Sequence, residues 1–435
     1  MNFKKYTWWE IGIFLVGMLS LASLLVIFFL PLGTGPATFT TTAPVPAVSS
    51  PQFLQTLSDS LALPLEKGDP ITILNNGDGF LQSFLPDIDS ARSSINVMLY
   101  NWDPGVMSNQ VLEHLDAKLK QGVEVRVMLD GFAAGGMTKR PEFKTFQSLG
   151  GKVGIFHPLT FAPWSIVRNP QRNHRRAIVI DGTIGYTGGE AISDLWAGDA
   201  RNPKEYRDMI FRSTGSMAHD IQGAFAELWA SSTGEILLGN KFYPPVSAPK
   251  TSALSFIPLV STPSVDTLTM QKFILLSLLG AQHSIFISDP YFLPDQSFRE
   301  ALKAKAKAGV DVRILLPNDY NDEPGVRHAS ENYYAELLAS GVKIYEYQPT
   351  FIHTKTIVID GTWSIIGSAN LDNRSRKLNE EDIFGVSDQS FGAALEKTFN
   401  EDLTHAIQIN LSDWNKRSLW QRIREAFALK FVQQY

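Results

Sequence analysis

The sequence predicts an α/β protein made of two similar halves, each a mixed β-sheet flanked by helices. Apolar segments of strand length alternate with amphipathic segments of helix length, and such alternation produces parallel or mixed sheets covered by helices. A Gly-Val-x-Val-Arg phrase occurs at Gly122 and again at Gly309, each time at the start of the second strand pattern of a β-α-β unit. The chain of 435 residues also exceeds one typical domain. These observations predict an internal duplication.

The matching elements follow the same order in both halves. In the first half we expect a helix over Val111–Lys120 and strands at Ser94–Tyr100, Gly122–Asp130 and Lys152–Phe156. In the second half we expect a helix over Ser297–Ala308 and strands at Ser284–Ser288, Gly309–Leu316 and Lys343–Tyr347. The duplication predicts two domains, residues 67–250 and 251–435, that face each other as a pseudo-dimer.

The N-terminal 31 residues predict one transmembrane helix. Ile11–Leu30 is a run of 20 residues without charge, which is the length that crosses a bilayer core. Lysines precede the run and no Lys or Arg follows until Lys67, so the positive-inside rule places the rest of the chain on the extracytoplasmic side. A cleaved signal peptide and a buried core helix are the alternatives, but signal peptides have apolar regions of only ~7–15 residues. Residues 32–66, rich in Pro and Thr at their start, are predicted to be a linker.

Composition excludes several classes of site. The chain has no cysteine, so disulfides, thiolate metal sites and cysteine nucleophiles are excluded. A net charge of −5 offers no general attraction to polyanions. We therefore expect no nucleic-acid partner.

One short motif occurs once in each half. It combines a histidine, a cation two residues later, a strand-like run of four residues, and Asp-Gly: His174, Arg176 and Asp181 in the first half, and His353, Lys355 and Asp360 in the second. On a strand the histidine and the cation share one face. Gly188-Gly189 and Gly367-Ser368-Ala-Asn370 follow the two motifs, and glycine there lets the backbone approach a bound group. Each half thus predicts half of a phosphate site.

A single histidine on a strand is more often structural than catalytic. The chain has only 8 histidines, however, and two of them recur in the same frame. Chance is a poor explanation for that recurrence.

The duplicated His-x-Lys-x4-Asp pattern resembles the hallmark of the phospholipase D superfamily, and within it the bacterial cardiolipin synthase type. The closer resemblance covers roughly residues 70–430 and is carried by Arg172-Asn-His-Arg-Arg176, Asp289-Pro-Tyr-Phe-Leu-Pro294, Gly367-Ser-Ala-Asn-Leu-Asp-Asn-Arg-Ser375 and Leu378-Asn379 with Glu381. It implies two phospholipase D-like domains with one active site between them.

The resemblance also implies roles for the motif residues. His174 would attack phosphorus to form a phosphohistidine, and His353 would protonate the leaving alcohol and then deprotonate the incoming one. Glu381 would orient the second histidine, and Asp208 is the expected partner of His174. The motif aspartates, Asp181 and Asp360, are expected to anchor strand ends. The groups expected to hold the phosphate oxygens are Arg176, Lys355, Asn370, Ser368 and the backbone at Gly188 and Gly189. This chemistry requires no metal and no other cofactor.

Two departures from the family pattern fall in the first half. Arg176 stands where lysine is usual, and Ala191 stands where the pattern has asparagine. Arginine keeps the charge with a different donor geometry, and a lost donor can cost ~10²–10³ in rate. Both histidines are intact, so we expect an active enzyme, with a catalytically weakened lipid-binding scaffold as the alternative.

The predicted function is that of a membrane-anchored phosphatidyltransferase. It would move a phosphatidyl group from one phosphatidylglycerol to another, giving cardiolipin and glycerol. Hydrolysis with water as acceptor is a second possibility, and an anchored nuclease with a basic, open cleft is a third.

Two further segments carry apolar residues that either face lipid or pack inside the protein. Trp414–Phe431 has apolar residues at 419, 420, 423 and 427 among lysines and arginines. Such a helix lies on anionic lipid or, more commonly, packs its stripe on the protein body. The aromatic stretch Phe156–Val167 is either a lipid-facing rim or a buried loop.

Overall fold

The computed structural model describes residues 9, 12–18, 38–159, 170–246, 254–263 and 268–434. The predicted span Ile11–Leu30 and the aromatic stretch Phe156–Val167 lie largely outside these residues. Within the described part of the chain, no helix is long and apolar enough to cross a membrane.

The chain up to residue 246 forms the first sheet and its helices, and it also contributes one helix and two short strands to the second half. Its helices are α1 Pro51–Leu61, α2 Asn76–Ser90, α3 Val106–Lys120, α4 Pro141–Ser148 and α5 Ser216–Thr233. Its strands are β1 Glu66–Gly68, β2 Thr72–Asn75, β3 Ser94–Leu99, β4 Glu124–Asp130, β5 Lys152–Phe156, β6 Arg172–Asn173, β7 Ala177–Ile180, β8 Ile184–Gly188 and β9 Met209–Thr214.

The chain from residue 254 forms the second sheet. Its helices are α6 Thr269–Leu279, α7 Gln296–Lys307, α8 Pro324–Ala339, α9 Asn373–Lys377, α10 Gln389–Leu403, α11 Leu411–Trp414 and α12 Leu419–Ala428. Its strands are β10 Leu254–Ser261, β11 Ser284–Ser288, β12 Asp311–Pro317, β13 Lys343–Tyr347, β14 Thr356–Ile359, β15 Trp363–Gly367, β16 Asn379–Ser387 and β17 Ala406–Ile409.

The two sheets repeat one strand order, which confirms the predicted duplication. The first runs β2-β9-β8-β7-β3-β4-β5, and the second runs β10-β16-β15-β14-β11-β12-β13 with β1 and β17 added at its edges. In each sheet three neighbouring strands are parallel, β3-β4-β5 and β11-β12-β13, and the other neighbours in these two orders are antiparallel. Both sheets are therefore mixed, as the sequence predicts.

Buried strands explain why the sequence patterns were easy to recognise. Every residue of β3 is buried, because helices cover both faces of the sheet, and such strands carry continuous apolar runs. The corresponding strand β11 has the bounds predicted from the sequence, and β4 and β12 begin two residues later than predicted.

One apolar cluster is shared by the two halves, in addition to the core of each half. Helix α5 contributes Phe225 and Trp229 to a buried cluster that also contains Phe256, Phe384 and Phe391 from the second half. Since these side chains pack in one continuous cluster, the halves are held against each other and not merely tethered.

The stretch predicted to be a linker contains regular structure, so that part of the prediction is wrong. Helix α1 begins with Pro51 at its first turn, where proline is favoured. Its Phe53 and Leu57 are buried in the core of the second half, and the ring of Phe53 meets that of Trp363 edge-on at 5.2 Å. Strand β1 then pairs with β10 of the second sheet. The segment before the first half therefore belongs to the core of the second.

Candidate active site

A cavity of about 330 Å³ lies between the two halves. Both motif histidines line it, as the sequence predicts for a site completed by two facing halves. Its other polar lining includes Arg176, Asn370, Arg374, Asp322, Glu323, Asp372, Asn101 and Asn379.

Backbone pairing across the interface places the two histidines in equivalent positions. The short strand β6 pairs with β16 of the other half, and the N–H of His174 continues this pairing by donating to the carbonyl of Glu380 at 2.9 Å. The N–H of His353 donates to the carbonyl of Arg207 at 2.7 Å. The motif strands β7 and β14 begin only after the cations. The prediction that histidine and cation lie on a strand is therefore wrong: both precede the motif strand, where the backbone contacts the opposite half.

Each histidine is held by a carboxylate from the other half. His174 Nδ1 lies 2.9 Å from both carboxylate oxygens of Glu381, and His353 Nδ1 lies 2.7 Å from Asp208 Oδ2. The predicted pairing of Asp208 with His174 and of Glu381 with the second histidine is thus wrong. The physical reason is the backbone pairing, because Glu380 and Arg207, which accept the histidine N–H groups, directly precede the two carboxylates in the chain.

The glycine-rich turns support these carboxylates. Ser368 Oγ donates to Glu381 Oε2 at 2.5 Å and accepts from the N–H of Asp382 at 2.9 Å. Gly189 occupies the equivalent position in the first half, where a Cβ would come within 2.3 Å of Asp208 Oδ1. Gly188 precedes it with a φ of 149°. Of the predicted phosphate-binding turn residues, Asn370 lines the cavity, Ser368 bonds the carboxylate of Glu381, and Gly189 leaves room for that of Asp208.

The two motif cations are arranged alike. Arg176 Nη1 donates to the carbonyl of His174 at 2.5 Å, and Lys355 Nζ donates to the carbonyl of His353 at 2.9 Å. Lys355 Nζ also lies 3.1 Å from both ring nitrogens of His353. Each cation is buried, so its charge acts on the adjacent histidine and on any bound anion with little screening.

Burial and these cations keep both imidazoles neutral. Burial lowers the pKa of His174 well below its usual value, and Arg176 and Lys355 lower it further. Burial and then Lys355 lower the pKa of His353 to about 4, although Asp208 opposes the shift. The pKa of Asp208 stays below its usual value despite burial, because His353 and Lys355 stabilise the carboxylate. At neutral pH each ring therefore donates its Nδ1–H to a carboxylate and keeps a lone pair on Nε2.

The motif aspartates hold turns, in agreement with the role expected for them. Asp181 accepts the N–H groups of Arg92, Ser93 and Ser94 at 2.7–2.9 Å. Asp360 accepts those of Gln282, His283 and Ser284 at 2.7–2.8 Å. Both aspartates have positive φ, 50° and 53°, a conformation that Asp tolerates better than most residues. Neither lines the cavity.

Four residues at the site were missed from the sequence. Trp196 Nε1 donates to Asp208 Oδ2 at 2.9 Å, and its ring meets His353 edge-on at 5.1 Å. Tyr100 meets the ring of His174 at 5.2 Å. Tyr100 directly follows the buried strand β3 in the chain, and this place at the end of a core strand could have identified it from the sequence. Asp382 accepts the N–H of Arg176 at 3.1 Å. Among the residues that the structure describes, neither side-chain oxygen of the buried Glu190 has a hydrogen-bond partner; no spacing rule pointed to Trp196, Glu190 or Asp382.

Among the described residues, no group of three or more His, Asp or Glu side chains is placed to hold a metal ion. The site is organised instead around histidine–carboxylate pairs and two fixed cations.

Sequence comparison matches both halves to one family. The family model described as "Cardiolipin synthase, PLD-like domain" matches residues 84–194 and 274–403, and each matched segment contains one histidine motif. A cardiolipin synthase of Listeria monocytogenes serotype 4a is 32% identical over 364 residues, covering 83% of this chain and 74% of the relative. Cardiolipin synthase 2 of Staphylococcus epidermidis is 31% identical over 379 residues, covering 87% and 77%.

Solved structures share the fold at low sequence identity. The phosphatidylserine synthase of Haemophilus influenzae Rd KW20 superposes with a TM-score of 0.68 at 15% identity, covering 87% of this chain and 97% of that one. The polyphosphate kinase of Porphyromonas gingivalis superposes with a TM-score of 0.52 at 12% identity, covering 86% and 52%. At these identities the likeness concerns the fold alone.

Proposed function

Because this chain belongs to the cardiolipin synthase family of phospholipase D-like proteins, we propose that it joins two phosphatidylglycerol molecules into cardiolipin and releases glycerol. The chain is a phosphatidyltransferase of the phospholipase D superfamily, and the proposal concerns its donor, its acceptor and its covalent intermediate. One observation carries the proposal: two neutral histidines from opposite halves line one cavity, each with its Nδ1 held by a carboxylate.

In the first step, His174 Nε2 attacks the phosphorus of one phosphatidylglycerol. The bond from phosphorus to the headgroup glycerol oxygen breaks, and that oxygen takes a proton from His353. His353 is neutral before substrate binds, but a bound phosphodiester brings a negative charge to the ring and raises its pKa, so that it gains the proton it must donate. Glycerol leaves, and a phosphohistidine remains.

In the second step, a hydroxyl of the second phosphatidylglycerol gives its proton to His353. The resulting oxygen attacks phosphorus, the bond to His174 Nε2 breaks, and cardiolipin is released. The same residue serves as acid and then as base, so the proton count balances over one cycle.

The phosphate oxygens face an asymmetric set of donors. Arg176 and the amide of Asn370 line the cavity, and Asn370 Oδ1 has no hydrogen-bond partner among the described residues. Its counterpart in the first half is Ala191, which offers no donor. We propose that Arg176, with up to five N–H donors, compensates for the missing amide.

The charge of the cavity lining does not favour a nuclease. A polyanion groove would be lined mainly by cations, but Asp322, Glu323 and Asp372 lie in the lining beside Arg176 and Arg374. Such a mixed lining suits a small phosphodiester headgroup better.

A product assay tests the proposal. The full chain, a His174→Ala variant and a His283→Ala variant are incubated with phosphatidylglycerol vesicles, and the lipids are separated by mass spectrometry. His283 is an exposed histidine of the second half and lies outside the cavity lining, so it is the matched control. We expect cardiolipin and glycerol from the full chain and from His283→Ala, and none from His174→Ala. Phosphatidic acid alone would mean hydrolysis, and no product at all would favour the scaffold alternative.

We also propose that Ile11–Leu30 is a single-pass anchor that keeps the catalytic halves on the extracytoplasmic face of the cell membrane. The support is its uncharged length and the lysines before it. Protease added to intact spheroplasts should digest the catalytic halves. Protection until the membrane is opened would reverse the orientation.

A further inference from the structure

The C-terminal helix α12 is attached to the protein by its less apolar side. Ser418 caps its start by accepting the N–H of Gln421 at 3.1 Å. Its inward residues are Glu425 and Ala428, and Glu425 is held by Arg417 at 2.9 Å. The helix packs on α8 through this side. Its contacts with the protein are therefore made by an ion pair and one small residue, and not by its large apolar side chains.

The apolar stripe of the same helix points outward. Leu419, Trp420, Ile423 and Phe427 are 74%, 74%, 49% and 66% exposed. At 3.6 residues per turn these four positions fall within an arc of roughly 100°, opposite the packed side. A stripe of this kind normally faces a core, and a contiguous exposed one marks an interaction surface. Packing of the stripe on the protein body, the commoner arrangement expected from the sequence, is therefore not what the chain adopts.

The charges around the stripe favour an anionic partner. Arg422, Arg424 and Lys430 are exposed cations on or next to the helix, whereas the acid of the helix, Glu425, is buried and paired with Arg417. Arg424 and Arg422 fall on opposite flanks of the stripe. An apolar stripe with cations at its edges has the distribution of charge seen in helices that lie in a bilayer interface.

The helix is also connected to the rim of the active-site cavity. Ala428 and Leu429 pack in a cluster with Val326 and Tyr291, and both of these residues line the cavity. On the first half, Phe132 lines the same cavity and is 64% exposed. The inner side of the helix therefore packs against residues that line the cavity, so the position of the helix is tied to that of the site.

We propose that α12 is a membrane-docking helix that lies on an anionic phospholipid surface. Its stripe enters the boundary between headgroups and acyl chains, and its arginines contact lipid phosphates. Docking in this way presents the cavity mouth to lipid that is still in the bilayer. The choice of lipid rests on the proposed function, whereas docking itself requires no catalysis.

The absence of cysteine from the sequence gives a direct test. Ile423→Cys in the full chain carries an environment-sensitive fluorophore, and the protein is reconstituted into phosphatidylglycerol vesicles. Lys397→Cys is the matched control, because Lys397 lies on α10 with its side chain 78% exposed. The label at 423 should shift its emission to shorter wavelength and be quenched by lipids brominated in their acyl chains. The label at 397 should report water, although the predicted anchor tethers both variants equally.

An aqueous emission at 423 in these vesicles would overturn the proposal. The emission of the label at 423 could instead shift in detergent without vesicles, by an amount that grows with protein concentration. That result would assign the stripe to contacts between copies of the protein and would also overturn the docking proposal. If the label enters lipid but no cardiolipin forms, docking stands and the proposed reaction fails. If both docking and the proposed reaction are observed, the double variant Trp420→Ser, Phe427→Ser should slow turnover on vesicles at least tenfold. Its turnover in detergent micelles should be nearly unchanged.

Discussion

His353 Nδ1 and Asp208 Oδ2 are 2.7 Å apart, and His174 Nδ1 is 2.9 Å from Glu381. Residues in contact couple by ~0.5–3 kcal/mol in double-mutant cycles. We therefore expect coupling of this size in the free energy of unfolding for His353→Ala with Asp208→Asn and for His174→Ala with Glu381→Gln. The check is denaturant unfolding of single and double variants in detergent.

The control for this cycle combines each histidine with the carboxylate of its own half, which it does not contact. His174→Ala with Asp208→Asn, and His353→Ala with Glu381→Gln, should couple more weakly than the crossed pairs. Stronger coupling in these combinations would contradict the crossed arrangement.

Glu190 makes a second prediction at the scale of one residue. Burial, and then the charge of Asp208, raise its pKa well above the usual value. A carboxyl with a raised pKa stabilises the fold below its unfolded pKa, and that stability is lost as the pH rises toward the folded pKa. Glu190→Gln removes this pH-dependent loss. The free energy of unfolding of the variant, relative to that of the parent, should therefore be higher at pH 8 than at pH 5. Urea unfolding at the two pH values is the measurement.

Replacing Glu235 should have the opposite effect on the free energy of unfolding. Hydrogen bonds from Arg126 and Lys152 lower its pKa to about 2 against a smaller effect of burial. Its contribution is present above the unfolded pKa and is lost as the pH falls toward 2. Glu235→Gln should therefore destabilise the protein at pH 7, and equal pH profiles for the two variants would contradict both assignments.

At the scale of elements, the two motif aspartates hold turns and lie outside the cavity lining. Asp181 accepts three backbone N–H groups, and hydrogen bonds to a charged group contribute ~1.5–3 kcal/mol each. Because these bonds are exposed or only partly buried, water can replace part of them, so Asp181→Ala should lower the free energy of unfolding by about 2–3 kcal/mol, less than the sum of three such bonds. Activity per folded molecule should stay at the parent level, as measured at a temperature where the variant remains folded.

Asp181→Asn is the matched control, because asparagine tolerates the positive φ and keeps one acceptor oxygen. Its loss of stability should be smaller. A large fall in turnover with intact folding would give this aspartate a catalytic role instead.

The same scale shows which elements the sequence could predict. Strands such as β3 and β11 match the prediction to within one residue, because residues buried on both faces leave continuous apolar runs in the sequence. Helix α1 was missed because its two core contacts, Phe53 and Leu57, are a weak signal beside a proline-rich tract. The histidines were found by repetition. Their carboxylate partners were assigned to the wrong halves, because the crossed pairs join residues 207 and 145 positions apart in the chain, and no local pattern records such contacts.

At the scale of the whole molecule, the halves are not independent folding units. The cluster that contains Phe225, Phe256 and Phe391 spans both halves, and each histidine needs the opposite carboxylate. The buried pair Arg207 and Asp402, 2.9 Å apart, also joins the first half to the second. Disturbing the interface therefore disturbs the catalytic geometry and the core together.

The N-terminal segment is part of this arrangement, because α1 and β1 complete the second half although they precede the first. Burying a side chain such as Phe53 or Leu57 contributes about 1.5–3 kcal/mol. A chain that begins at residue 70 should thus lose about 3–6 kcal/mol of unfolding free energy, and with it the paired edge of β10. A chain that begins at residue 38 keeps both elements and should unfold like the full chain.

Phe53→Ala in the full chain isolates the packing contribution, and about 3–5 kcal/mol is expected for a buried phenylalanine. Denaturant unfolding of the three proteins, followed in parallel with cardiolipin formation, is the measurement. Because the histidine–carboxylate pairs cross the interface, turnover should fall with the folded fraction of the whole molecule and not with that of one half. If the chain beginning at residue 70 keeps the midpoint of the full chain, α1 and β1 are dispensable, and the shared core alone holds the active site together.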